Sequence, residues 1–170
     1  MLWPDGRASA NMSNYAHLVN AGYDAVKTVF PSAKVIVHVS NGWDNALFQW
    51  NIGGLIGNGA RFDVIGMSLY PSYTEAGWAS ANQQCLITMN DMVARYNKEV
   101  MVVEVGMPWD NAADCKLFIS DLITKVKSVA DNKGLGVLYW EPQSYDGWKG
   151  YTLGAFDNSG RATVAMEAFK

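Results

Sequence analysis

One carboxylate stands where carboxylates seldom do. Glu104 lies inside Val102-Val103-Glu104-Val105, an apolar run that reads as a buried strand. An ionised carboxyl in such surroundings is costly unless a cation pairs with it or a reaction uses it. The residue types therefore allow two readings: a partner for a structural Arg or Lys, or a nucleophile or proton carrier. Other residues able to do chemistry sit in comparable places. His38 belongs to Val35-Ile36-Val37-His38-Val39, and Ser40-Asn41-Gly42-Trp43-Asp44 follows it. Tyr70 closes the run from Val64, Trp109 follows Glu104 after Gly106-Met107-Pro108, and Trp140 closes Gly136-Val137-Leu138-Tyr139. On pattern alone His38 fits a satisfied core histidine as well as a base, and Tyr70 and Trp140 fit core aromatics. Their common placement is the informative feature: each stands where an apolar run gives way to a loop.

The elements that must position them follow from periodicity. Four apolar runs begin near Val35, Val64, Val100 and Gly136, about the spacing of a βαβ unit of ~30 residues. Near-continuous apolar strands suit a parallel sheet. Helical stripes fall between them, over Ser13–Phe30 (stopped by Pro31), Ala81–Tyr96 and Asp114–Lys133. In the last of these Asp114 is placed as N-cap and Gly134 as the stop. Residues 44–60, with Gly53, Gly54, Gly57 and Gly59, read as a broken helix, and Ala162–Phe169 as a short tail helix. The alternation predicts an α/β fold, either a doubly wound sheet or part of a (β/α)8 barrel. A whole barrel takes ~250 residues, so four strands amount to half of one. In both architectures ligands bind beyond the carboxyl ends of the strands, where the candidate residues stand.

Composition narrows the partners. The 170 residues carry a net charge of −3, which argues against nucleic acid and against an anionic membrane surface. Charged residues make up 17% and hydrophobic ones 49%, a globular balance. Seven Trp and eight Tyr exceed the needs of a small core. Trp3, Trp43, Trp78, Trp109 and Trp148 sit in Gly-, Pro- or Asp-containing loops, where flat apolar faces suit sugar rings; plugging loops onto the core is the other reading. No phosphate-binding glycine loop follows a strand. Cys85 and Cys115 form no metal pattern and no disulfide framework, and buried free thiols are the simpler expectation, although the two would pair if close. No stretch has membrane-span length, and the amino-terminal residues lack the layout of a signal peptide.

At these residues the chain resembles a known family. His38-Val39-Ser40-Asn41-Gly42-Trp43, Phe62-Asp63-Val64-Ile65-Gly66-Met67-Ser68-Leu69-Tyr70-Pro71, Val102-Val103-Glu104 and Gly136-Val137-Leu138-Tyr139-Trp140-Glu141-Pro142 occur in order. Together they look like the carboxyl-terminal half of glycoside hydrolase family 53, the endo-β-1,4-galactanases. The resemblance implies a TIM barrel in which this chain supplies strands five to eight as a single unit over residues 1–170. It further implies a retaining mechanism on galactan, with Glu104 as nucleophile at the end of strand seven. Tyr70 matches a position expected to contact the nucleophile, and Trp140 the aromatic floor under the sugar being cleaved. His38, Asn41 and Trp43 match the substrate-lining loop after strand five, and Trp109 is placed with them. In the family an Asn-Glu pair supplies the acid/base shortly before a stretch like Met1-Leu2-Trp3-Pro4, so that group is expected ahead of Met1.

Several expectations follow. The chain alone should hydrolyse galactan little or not at all, and the bare half barrel should either associate, two copies closing a pseudo-barrel, or rearrange into an open sheet. The parent enzyme should act outside the cytoplasm, secreted, periplasmic or at the cell surface. No organic cofactor is expected; calcium is conceivable at Asp146, Asp157 and Asn158, a spacing too generic to assign. The rival readings are a related hydrolase acting on mannan or another β-glycan, and a glycan-binding half barrel in which Glu104 does no chemistry.

Overall fold

The computed structural model describes residues 4–170. Met1, Leu2 and Trp3 lie outside that range, and with them the expectations for Trp3 and for the start of the Met1-Leu2-Trp3-Pro4 match. Four strands, β1 (Ile36–Val39), β2 (Val64–Leu69), β3 (Glu99–Val105) and β4 (Gly134–Tyr139), form one parallel sheet in the order β1-β2-β3-β4. Helices α1 (Met12–Val29), α2 (Asn45–Gly57), α3 (Gly77–Tyr96) and α4 (Ala112–Lys127) alternate with them. Sequential strand order decides between the two expected architectures. Parallel crossovers are right-handed, so neighbours added always in one direction put every helix on one face. A doubly wound sheet must instead reverse its order.

The burial pattern agrees. Val37 and Val39 of β1 are buried while Ile36 and His38 are exposed. In β3, Val100, Val102 and Val105 are fully buried against the helices. The opposite face carries Ile36, 39% exposed, and Leu138, 51% exposed, which alternates with core-packed Val137 and Tyr139. That open, apolar face is what the inside of a closed barrel would bury.

The helices follow from local chemistry. The Asn11 side chain accepts the Asn14 N–H at 3.0 Å to start α1, and Asp44 does the same for α2 through the Leu47 N–H at 3.0 Å. Such caps are each worth ~1 kcal/mol. Phe48, Ile52 and Leu55 of α2 are fully buried, each side chain contributing ~1.5–3 kcal/mol.

Three expectations are corrected. The segment 44–60 holds an unbroken helix, because Gly53 and Gly54 are contact points rather than breaks. A methyl group on Gly53 would come 2.8 Å from the Tyr96 hydroxyl, and one on Gly54 2.5 Å from the end of Met12. Asp114 does not cap α4; the helix begins two residues earlier, and the aspartate lies in its first turn, where a negative charge complements the helix dipole. Gly134 does not stop α4. The helix ends at Lys127, with Ser128 Oγ donating to the Lys125 carbonyl at 2.8 Å, and Gly134 opens β4 instead. The tail is a 3-10 helix over Val164–Phe169, packed on α4.

Candidate active site

Glu104 reaches the open face through a β-bulge. Met67 pairs with Val102, but the next residue, Ser68, pairs with Glu104, which leaves Val103 as the extra residue. Strict alternation after core-facing Val100 and Val102 would have sent Glu104 into the helices. A methyl group on Gly66 would touch Val103 at 3.1 Å and Ile36 at 2.7 Å, so those side chains share the open face. With Val103 bulged, Glu104 also turns to that face and Val105 resumes core packing.

The carboxylate is then held by a short relay. Ser68 Oγ donates to Glu104 Oε2 at 2.6 Å, and His38 Nε2 lies 2.5 Å from the same Oγ. His38 Nε2 and Glu104 Oε2 are 3.7 Å apart, with the side chains 41% and 20% exposed. Ser68 itself is buried. Its backbone is fixed in turn, since its carbonyl accepts the Gly42 N–H at 2.8 Å. The Asn41-Gly42-Trp43 loop is thereby docked on the residue that grips Glu104. Asn41 takes a left-handed turn conformation (φ 57°) and is exposed. Among the described residues Oε1 of Glu104 has no hydrogen-bond partner.

A second group flanks the first. Tyr70, at the end of β2, lies beside Tyr151, and Tyr151 donates its hydroxyl to the Trp140 carbonyl at 3.3 Å. Burial raises both phenols, and the charge of Glu104 raises them further; Tyr151 is pushed up to about 12 and Tyr70 well beyond its ordinary range. Both stay neutral donors at any working pH. Tyr70 thus stands within electrostatic reach of Glu104, but the hydrogen bond on the carboxylate comes from Ser68. The Trp140 backbone N–H donates to the Val105 carbonyl at 3.0 Å, which anchors the end of β4 beside that of β3 and leaves the residue 46% exposed.

The remaining aromatics divide. Trp43 and Trp78 pack partly buried against the core, so for these the plugging reading holds. Trp109 is half-buried at a 3-10 turn and has its N–H on the Thr152 carbonyl at 3.1 Å. Trp148 is exposed and lines, with Glu141, Gln143, Ser144, Tyr145 and Asp146, a cleft of about 460 Å³ beside Trp140. Sequence reasoning missed Ser68 and Tyr151 as site residues. The one available signal for Ser68 was a hydroxyl in an otherwise apolar strand; Tyr151 sits in a glycine-containing loop without a pattern.

Neither cysteine is paired. Cys85 and Cys115 are buried free thiols, and burial pushes Cys85 up to about 12. The oxygens considered for calcium serve their own loop: Asp157 accepts from Ser159 and Arg161, and Asn158 accepts the Asp146 N–H at 3.3 Å. Among the described residues no group of three or more His, Cys, Asp or Glu side chains could hold a metal. No described helix is long and apolar enough to cross a membrane.

Comparison with known proteins places this geometry. An arabinogalactan endo-β-1,4-galactanase of Thermothelomyces thermophilus is 29% identical over 201 aligned residues, covering all of this chain and 58% of that protein. Among solved structures, a fungal β-1,4-galactanase superposes with a TM-score of 0.83 at 26% identity, over 99% of this chain and 57% of the other. The catalytic domain of a family 53 enzyme from Ignisphaera aggregans gives the same TM-score at 27% identity, over all of this chain and 55% of the other. The chain thus spans a little over half the length of these relatives. Its four-stranded parallel sheet corresponds to half of their (β/α)8 barrel. The family model for glycosyl hydrolase family 53 matches residues 1–169, and the chain belongs to that family.

Proposed function

We propose that this chain forms the nucleophile-bearing half of an endo-β-1,4-galactanase that cleaves galactan with retention of configuration. The observation that carries the reading is Glu104 itself. A bulge turns it to the open face at the carboxyl end of β3, Ser68 holds Oε2, and Oε1 is left free among the described residues. Oε1 attacks the anomeric carbon as the bond to the leaving sugar oxygen breaks, and a covalent galactosyl ester forms. A second carboxyl group, ~5–5.5 Å away in retaining enzymes, gives the leaving oxygen its proton and then takes one from the water that frees Glu104.

That acid/base belongs, by the family resemblance, to a strand preceding α1. Among the described residues the group around Glu104 contains His38, Ser68 and two tyrosines but no second carboxyl group hydrogen-bonded to it. General acid catalysis is worth ~10²–10⁴-fold, so the 170-residue chain alone hydrolyses galactan at most feebly. Trp140 offers a flat face for the ring at the cut bond, and Trp148 and Tyr145 offer faces beyond it. His38 at the end of β1 and Asn41 and Trp109 in the loops after β1 and β3 line the approach, while Trp43 holds the β1 loop against the core. A polymeric wall glycan as substrate places the enzyme outside the cytoplasm.

Substrate class is testable on the chain as it stands. Titrating β-1,4-galactotetraose, mannotetraose and cellotetraose against tryptophan fluorescence should show a response to the galactan oligomer first, weakened by Trp140→Ala. Equal or stronger binding of mannotetraose or cellotetraose would overturn the galactan assignment.

A further inference from the structure

The proton count around Ser68 carries a further step. Its hydroxyl has a single proton and lies within hydrogen-bond distance of two groups, His38 Nε2 at 2.5 Å and Glu104 Oε2 at 2.6 Å. If that proton goes to Oε2, the imidazole must present an N–H to Oγ, because two bare acceptors 2.5 Å apart repel. If it goes to His38, Glu104 must be protonated to occupy its place against Oγ, and a protonated carboxyl is no nucleophile. Only the first arrangement serves an ionised Glu104. The geometry also fixes which oxygen reacts, since Oε2 is committed to Ser68.

We infer that His38 is held as its Nε2–H tautomer and acts through Ser68 as a positioning residue for Glu104, reserving Oε1 for attack. The inference rests on the reading of Glu104 as nucleophile for its catalytic meaning, but not for the hydrogen-bond direction. His38 itself touches no reacting atom. The relay does work at both steps: Oε2 keeps its donor while Oε1 is esterified, and the donor bonds more strongly as the carboxylate is released, since bonds to ionised groups are the stronger ones. The backbone supports the arrangement. Ser68 is tied to the loop after β1 through Gly42 and set opposite Glu104 by the bulge, so neither partner can move away without moving a strand end.

The chain has two histidines, His17 and His38, which makes the test direct. Long-range ¹H–¹⁵N correlation at neutral pH on the ¹⁵N-labelled chain reports which ring nitrogen carries hydrogen. His17→Gln assigns the signals. His17 is exposed on α1, and its signals serve as the internal reference. His38 should show a protonated Nε2 and a bare Nδ1 at the full shift separation. Ser68→Ala should collapse it toward the His17 pattern, and Ser68→Thr, which keeps a hydroxyl, should restore it. An Nδ1–H form in the unmodified chain, or an averaged pattern already present there, would overturn the inference. The unmodified chain alone decides this, so a variant that fails to fold does not remove the test. A fixed Nε2–H form in a chain whose Glu104 never accepts a sugar would leave the relay standing and sink the catalytic reading instead.

Discussion

Ser68→Ala removes one oxygen atom and, with it, the hydroxyl that bridges two chemically active side chains. The hydroxyl donates to a carboxylate at 2.6 Å and lies 2.5 Å from the imidazole. A bond to a charged group is worth ~1.5–3 kcal/mol and a neutral one ~0.5–1.5 kcal/mol, so the two sum to about 2–4.5 kcal/mol. The full sum will not be lost. His38 Nε2 and Glu104 Oε2 already stand 3.7 Å apart, and a small rotation of the ring lets them bond directly once the hydroxyl is gone. A net loss of about 2 kcal/mol follows, and at roughly 2–4 °C per kcal/mol for a domain of this size the Tm falls by about 4–8 °C. Thermal and urea unfolding of Ser68→Ala, Glu104→Gln and the double variant complete a cycle. If the relay holds a charged carboxylate, Ser68→Ala costs less in the Glu104→Gln background, with a coupling of about 1 kcal/mol or more. Additivity within ~0.3–0.5 kcal/mol would refute the reasoning, since it would mean that the two side chains do not share a bond in solution.

Other expectations test the frame around the site. Asn82, buried between α3 and α4, donates to the Phe118 carbonyl at 3.0 Å and to Asp121 at 2.8 Å. Asn82→Ala should therefore cost about 1–2 kcal/mol in urea unfolding, a loss moderated because its Oδ1 already has no partner among the described residues. Acid should weaken the fold through Asp63 and Asp91. Burial pushes both carboxyls up, but the Val35 N–H and Lys27 hold Asp63 below its ordinary value, and Arg95 and Gln49 do the same for Asp91. Their stabilisation is complete above about pH 4 and lost as pH falls through the depressed values, so Tm measured from pH 7 to 2 should drop at the acid end, less steeply in Asp63→Asn. The open sheet face and the two unpaired edge strands, β1 and β4, should drive association of the isolated chain. Light scattering should show dimers or larger species at micromolar concentration, and a monodisperse monomer would count against that expectation.

Much of the architecture is legible in the chain because burial on both faces writes itself into runs such as Val64–Leu69, which no other element of that length explains. The helices are legible where a stripe exists. The helix over 44–60 was not, because α2 is apolar nearly all round, and its glycines look like breaks until Tyr96 and Met12 are seen packed against them. The end of α4 depends on Ser128 and on left-handed Asp131 and Asn132, which no periodicity announces. In the site, Glu104 is conspicuous because its charge contradicts its strand. The reason it is tolerated is a register shift at Val103, a property of pairing between strands and not of either sequence. Ser68 and Tyr151 were missed for the same cause: each matters through a partner distant in sequence, Ser68 through His38 and Glu104, Tyr151 through Tyr70 and Trp140.

The central claim is that Glu104 is a nucleophile, and it can be tested without the acid/base. A 2-deoxy-2-fluoro-β-galactobiosyl fluoride has a leaving group that needs no proton and forms an ester that turns over slowly. Incubated with the chain, it should add the mass of one fluorinated galactobiosyl unit, and peptide mapping should locate that unit on Glu104. Ser68→Ala should slow the addition by ~10- to 100-fold, the rate equivalent of one charge-assisted hydrogen bond. Glu104→Gln should abolish it. An adduct on another residue, or none after prolonged incubation of a folded chain that binds galactotetraose, would contradict the account.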